Sequence, residues 1–262
     1  MSQTIESILN QLARTFTVRD IMIPVSTLTR AADPAEAQQI LHEHPEFDVI
    51  PLPQQGPIGG YFCRDSGQFS RVQTGDLLGD GTSLLDLPEL LVDRKFYFVL
   101  SSSRVGGYLH FSDLNKGLVK LPLFVLFEAV ERQLWAAIQP RITEADLAMM
   151  LDPQRANNVI KKRARKQNHN VDMGWAGLFS FDEIVRFSIH YGQISLSSTE
   201  QEILANYRNR VAHSDKDLIN DHRDIKKLVT AVKLCQTVLK NMAEWSAQSE
   251  TRQSLEKPAG SG

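Results

Sequence analysis

Gly59-Gly60-Tyr61-Phe62 is echoed by Gly106-Gly107-Tyr108-Leu109, and the setting of that echo decides the fold of the first half of the chain. An extended run precedes each copy, Asp48 to Leu52 and Phe96 to Ser101. A helical stretch precedes each run, Pro34 to His44 and Leu84 to Asp93. Each unit therefore reads helix, strand, strand, then a polar segment that opens a helix, which is the mark of an internal duplication. Asp33 is the expected N-cap of the first helix, with Pro34 in its first turn. Gln54-Gln55-Gly56-Pro57 and Ser101-Ser102-Ser103-Arg104 suit tight turns between antiparallel strands. A sheet this small buries only one face by itself, so two copies packed face to face are expected.

Beyond about Lys120 the β signals fade and helical spacing takes over. Helices are expected over Leu121 to Ile138, Glu144 to Leu151, Pro153 to Lys166 with Asp152 as N-cap, Phe181 to Tyr191 before the stop at Gly192, Ser198 to Ala212, and Leu218 to Trp245. Ile225, Leu228, Val229, Val232 and Leu239 give the last of these one apolar face, and such helices pack as a bundle. The expected fold class is α+β in two domains: 1–120 with small sheets and helices, and 121–245 as an all-α bundle of four or five helices. The polar stretch 246–262 is expected to be a disordered tail.

With 262 residues there is room for two cores, and 42% hydrophobic with 23% charged residues is the balance of a globular protein. A net charge of -2 excludes a generally basic protein, so any nucleic-acid contact must be a local patch. Cys63 and Cys235 are too few and too far apart for a disulfide framework or a zinc site, and no metal site is expected at His169 or His190. Residues 1–14 do not read as a signal peptide. Glu128, Glu131 and Arg132 interrupt the most apolar stretch, which argues against a membrane span, so a cytoplasmic location is expected. Trp135, Trp175, Phe179 and Phe181 are expected in the core.

Thr17-Val18-Arg19-Asp20-Ile21-Met22 and Gly107-Tyr108-Leu109-His110-Phe111-Ser112-Asp113-Leu114 carry a resemblance to a CBS domain pair covering Thr17 to Lys120. That resemblance implies a regulatory adenine nucleotide (AMP, ATP or a relative), with Asp113 where the family's aspartate holds the ribose hydroxyls. A carboxylate accepts from two vicinal hydroxyls at once, and the following helix, from Ser112 onward, is expected to aim its N-terminal amides at a phosphate. Lys116, Lys120, Arg94 and Arg104 are the nearby cations. The sequence departs from the family at His110, where threonine or serine is usual, and at Ser66, which replaces the first unit's aspartate. One nucleotide site is therefore expected, at His110, Ser112, Asp113 and Lys116. The alternative is that Asp113 only caps the next helix. Asp113 to Phe124 has no Gly/Ser spacer, so a stiff junction that passes movement on to the helical half is expected.

Arg208-Asn209-Arg210-Val211-Ala212-His213 resembles the signature of the HEPN superfamily, which implies a four- or five-helix domain that dimerises with two motifs facing each other. It also implies metal-independent cleavage of single-stranded RNA by Arg208, Asn209 and His213. The chemistry stands without the family. Histidine titrates near neutral pH and moves protons, while arginine holds a permanent fork of donors for phosphate oxygens. On an unbroken helix Arg208 points about 140° away from His213. Ser214-Asp215 therefore suggests that the helix stops and releases the imidazole. Glu128 and Glu131 are candidate partners for Arg208 or Arg210. Lys161, Lys162, Arg163, Arg165 and Lys166 form the one basic run, a candidate grip on RNA or simply a solvated helix face.

Two functional expectations follow. One is a homodimeric endoribonuclease under nucleotide control that needs no cofactor, of a kind suited to stress response or defence. The other is a non-catalytic nucleotide sensor whose helical half dimerises or recruits a partner. These expectations include no membrane partner.

Overall fold

The computed structural model describes residues 2–169 and 174–255. The chain forms two compact units: Asn10–Pro122 with Ile219–Lys226, and a second built on Leu123–Leu218 and the chain beyond Lys227. The helix α1 (Ser2–Thr15) opens the chain.

The first unit follows β1 (Ile23–Pro24), α2 (Pro34–Glu43), β2 (Val49–Leu52), β3 (Gly60–Cys63), β4 (Gln68–Arg71), β5 (Leu77–Gly79), α3 (Leu87–Leu90), β6 (Phe96–Ser101) and β7 (Arg104–His110). They make a three-stranded sheet in the order β2-β3-β4 and a four-stranded sheet in the order β1-β7-β6-β5. The duplication is visible in the register. Val49↔Cys63, Pro51↔Tyr61 and Leu52↔Gly60 in one hairpin match Phe96↔His110, Phe98↔Tyr108 and Val99↔Gly107 in the other, at constant sequence spacing. The turns are made by residues that accept a left-handed backbone, Gly56 (φ 81°) and Ser102 (φ 59°).

Alternation then sorts the side chains. Val49, Tyr61, Phe98 and Tyr108 join a core lined by both sheets. Tyr61, Phe96, Phe98 and Tyr108 interlock there, with ring centroids 5.3–5.8 Å apart. On the far face of the small sheet, Ile50, Leu52 and Phe62 pack with Ala37 and Leu41 of α2. Asp33 caps α2 as expected, accepting from the amides of Ala35 and Glu36. The helix expected over Leu84 to Asp93 contracts to α3, whose Leu90 carbonyl accepts from the Tyr97 hydroxyl at 2.9 Å.

The second unit is helical, with α4 (Gly117–Ile138), α5 (Glu144–Met150), α6 (Pro153–Asn168), α7 (Phe181–His190), α8 (Ser198–Ala212) and α9 (Asp224–Leu255). The unit boundary falls within α4 and within α9. The core-facing stripe of α9 reads Leu228, Ala231, Val232, Cys235, Val238, Leu239 and Met242. Two expectations are revised. Residues 218–223 are not helical, because Asp221 and Asp224 turn the chain through side-chain bonds to the backbone of 220, 223 and 224. At its other end α9 runs to Leu255, past the expected tail boundary at Ser246, and 256–262 lie outside the described residues. No helix among the described residues is long and apolar enough to cross a membrane.

An ion pair between half-buried Arg155 and buried Glu183 fixes the start of α6 to α7. Arg155 meets Glu183 with two 2.7 Å bonds and donates a third to the Leu178 carbonyl. Burial alone would raise the Glu183 carboxyl, but the Arg155 guanidinium and the Ser180 amide outweigh it and hold the group below its ordinary value.

Candidate functional site

In the first unit, β7 ends in a turn, Phe111–Asn115, that gathers the residues expected to bind a nucleotide. His110, Ser112 and Asp113 line a cavity of about 280 Å³ together with Thr27, Leu28, Phe47, Asp48 and Tyr108, whereas Lys116, expected beside them, is not part of its lining and donates to the Ile21 carbonyl. His110 is pinned by both ring nitrogens, Nε2 at 2.8 Å from an Asp48 carboxylate oxygen and Nδ1 at 2.8 Å from Ser112 Oγ. The carboxylate only accepts, so Nε2 carries a proton and donates it to Asp48. Asp113 is 6% exposed. One of its oxygens accepts from the His110 amide at 2.7 Å, and the other faces Lys116 Nζ at 2.9 Å. It therefore does cap its turn. A carboxylate offers about four lone-pair positions, so acceptor capacity remains beside the cavity.

The other cations divide. Lys116 stands by Asp113, Arg94 pairs with Asp76 at 2.8 Å in a different cleft, and Lys120 is buried. That different cleft, about 470 Å³, lies at the duplicated position on the first hairpin. Asp48, Asp65, Asp76, Arg94, Lys95 and His222 stand around it, and Lys95 reaches Asp65 at 2.7 Å. His222 comes from Ile219–Lys226 and turns Nε2 to the carbonyls of Leu91 and Arg94, at 2.8 and 3.1 Å. The walls of this cleft come from distant segments, and at the position equivalent to Asp113 the first hairpin carries Ser66. The only local signal was the charge run Asp93-Arg94-Lys95.

In the second unit, α8 places the Arg-Asn-His motif at its C-terminal end. Leu204, Tyr207 and Val211 are buried and hold the helix down. Arg208 leans onto α4, 3.0 Å from Glu131. Asn209 is exposed. Arg210 folds back, donating to the Leu218 carbonyl at 2.9 Å with its guanidinium 5.5 Å from the Tyr207 ring centroid. The helix stops at Ala212, and His213 takes an extended backbone (φ −109°, ψ 122°) with an exposed side chain. Its imidazole therefore does not follow the helical phase that would set it about 140° from Arg208.

The basic run lies on α6. Lys161, Lys162 and Arg165 are exposed and Lys166 half-buried, in rows one helical turn apart. Arg163 is committed inward, its guanidinium 3.8 Å from the centroid of the Trp175 ring. Among the four aromatics expected in the core, Trp175 and Phe181 are buried. Trp135 and Phe179 are half-buried instead and wall a cleft of about 240 Å³ with Glu128, Glu131 and Arg132. Trp135 sits where the stripe of α4 turns from core to surface, one turn beyond Glu131, and this position excludes full burial.

Comparison with family models, with curated proteins and with solved structures returns no match to this chain.

Proposed function

We propose that this protein is an endoribonuclease in which Arg208 and His213 act on a phosphodiester of single-stranded RNA, under the control of an adenine nucleotide bound at Asp113. The observation that carries the reading is the end of α8. A guanidinium and an imidazole stand within one motif, and the helix stops just before the imidazole, leaving it exposed. His213 takes the proton of the ribose 2′-hydroxyl. The 2′-oxygen attacks phosphorus, the bond to the 5′-oxygen breaks, and a protonated group returns a proton to that oxygen, leaving a 2′,3′-cyclic phosphate. Arg208 holds the charge that builds on the phosphoryl oxygens, and Asn209 offers an amide to the chain. A homodimer with two facing motifs supplies base and acid from separate histidines. Lys161, Lys162, Arg165 and Lys166 attract the backbone.

The cavity at His110, Ser112 and Asp113 supports the regulatory half of the reading. It combines an apolar wall for a base with a carboxylate that retains acceptor capacity. One observation favours the non-catalytic sensor instead: Glu131 already neutralises Arg208. Incubation of RNA with the purified chain in EDTA separates the two. Parent protein cleaves, and His213→Ala loses about 10²–10⁴-fold. Equal rates for parent and variant leave the sensor.

A further inference from the structure

The cleft between α4 and the stretch ending at Ile184 has no role in the cleavage chemistry, yet its chemistry is selective. Glu128, Glu131, Arg132 and Trp135 lie on one face of α4, and Phe179 faces them. Glu131 is spent on Arg208. Glu128 is half-buried and has no partner among the described residues. The indole N–H of Trp135 is buried without a hydrogen-bond partner. Two aromatic walls, an unspent carboxylate and an unmet donor form a recognition site rather than packing, since buried polar groups are ordinarily satisfied. At about 240 Å³ the cleft is smaller than the roughly 300–1,000 Å³ of sites for drug-sized ligands, and it suits one flat ring system.

We propose that this cleft binds a guanine base, stacked on Trp135 and Phe179 and read by Glu128. Guanine alone among the common bases presents two adjacent donors, N1–H and the N2 amino group, which a carboxylate accepts side by side. Adenine, cytosine and uracil each offer its edge a single donor group. The cleft adjoins Arg208 through Glu131, so a guanine held there sets the position of the chain relative to the motif. The assignment of RNA as the carrier of that guanine rests on the ribonuclease reading. The site itself does not.

The test is the intrinsic fluorescence of the full chain titrated with GMP and, separately, AMP, counting only the change that is lost in Trp135→Phe. That variant keeps a ring in place, so loss of signal does not mean loss of fold. GMP is expected to bind at least about fivefold tighter than AMP, the lower end for one bidentate contact. Glu128→Gln, whose amide offers one acceptor in place of two, is expected to abolish the preference. A second arm compares uridine oligoribonucleotides with and without one guanine, bound to His213→Ala protein so that nothing is cut. Tighter binding of the guanine oligomer assigns the site to RNA, and a preference confined to GMP assigns it to a free nucleotide. Equal affinity for GMP and AMP, or a preference unchanged in Glu128→Gln, overturns the proposal. The EDTA cleavage assay decides the nuclease reading separately, because a guanine preference persists even if His213→Ala proves fully active.

Discussion

The two clefts of the first unit stand at equivalent positions of two hairpins with the same register, and their chemistry has diverged. Asp48, one residue before β2, corresponds to Lys95, one residue before β6, and Cys63 corresponds to His110. On the second hairpin the polar groups form one network: Asp48 to His110, His110 to Ser112, and the Asp113 carboxylate to the His110 amide. On the first hairpin Lys95 stands between Asp65 at 2.7 Å and Asp48 at 3.9 Å, and Arg94 pairs with Asp76. Asp48 faces both clefts. Duplication preserves the backbone path and the aromatic core behind it, and leaves the rim residues free to take different tasks.

The most damaging way to break this pairing is to empty the shared core. Phe98 is 0% exposed and touches the rings of Tyr61, Phe96 and Tyr108. Phe98→Ala is expected to cost about 3–5 kcal/mol, read as a drop in the urea midpoint. Because the core serves both sheets, the two clefts should be lost together in one transition. Separate transitions would mean that the hairpins are independent.

A smaller effect sharpens the comparison at the duplicated glycines. A Cβ on Gly60 would lie 2.4 Å from the Phe69 ring and 2.8 Å from the Ser70 carbonyl oxygen. A Cβ on Gly107 would lie 2.6 Å from Met22 Sδ and 3.0 Å from the Ile23 carbonyl oxygen. A methionine end moves aside more readily than a strand carbonyl. Gly60→Ala is therefore expected to cost about 1–3 kcal/mol and Gly107→Ala less, compared by chemical denaturation.

The hairpins were legible in the sequence because each carries its own turn and a short apolar run before the repeated Gly-Gly-Tyr. The strand β4 was not, since Gln68, Phe69 and Arg71 are exposed at a sheet edge and carry no core pattern. Nor was β5, three residues long and defined by its parallel partner β6. The helix α4, expected from Leu121, starts at Gly117 and carries Pro122 inside. The end of α8 was legible from Ser214-Asp215, and Glu131 was a named candidate for Arg208. The cleft around Arg94, Lys95 and His222 was not, because Ile219–Lys226 returns to the first unit from the far end of the sequence. Contacts across that separation leave no local pattern.

Ligand binding separates the clefts further. If the adenine nucleotide takes the second hairpin, Asp113→Asn is expected to weaken AMP binding about tenfold, the loss of one charged hydrogen bond, and Arg94→Ala to leave it unchanged. Calorimetry on the full chain measures both. A larger loss in Arg94→Ala than in Asp113→Asn would move the nucleotide to the other cleft.

At neutral pH the equivalent tyrosines behave alike, and alkali tells them apart. Burial pushes both phenols above their ordinary value. Next in weight come Asp76 for Tyr61, and Asp48 and Asp113 for Tyr108, whose shift is the larger. A phenol raised in the folded state stabilises fully below the unfolded value near 10, and that contribution is lost as pH rises past it. The loss is at most about 1.4 kcal/mol per pH unit for each phenol still protonated in the fold. Tyr61 is therefore expected to ionise first in an ultraviolet titration, and Tyr108 to hold its proton until the fold gives way. Tyr108→Phe should flatten the alkaline fall in stability more than Tyr61→Phe. Equal slopes in the two variants would show that the shared core shields both hairpins alike, and that their divergence stops at the rim.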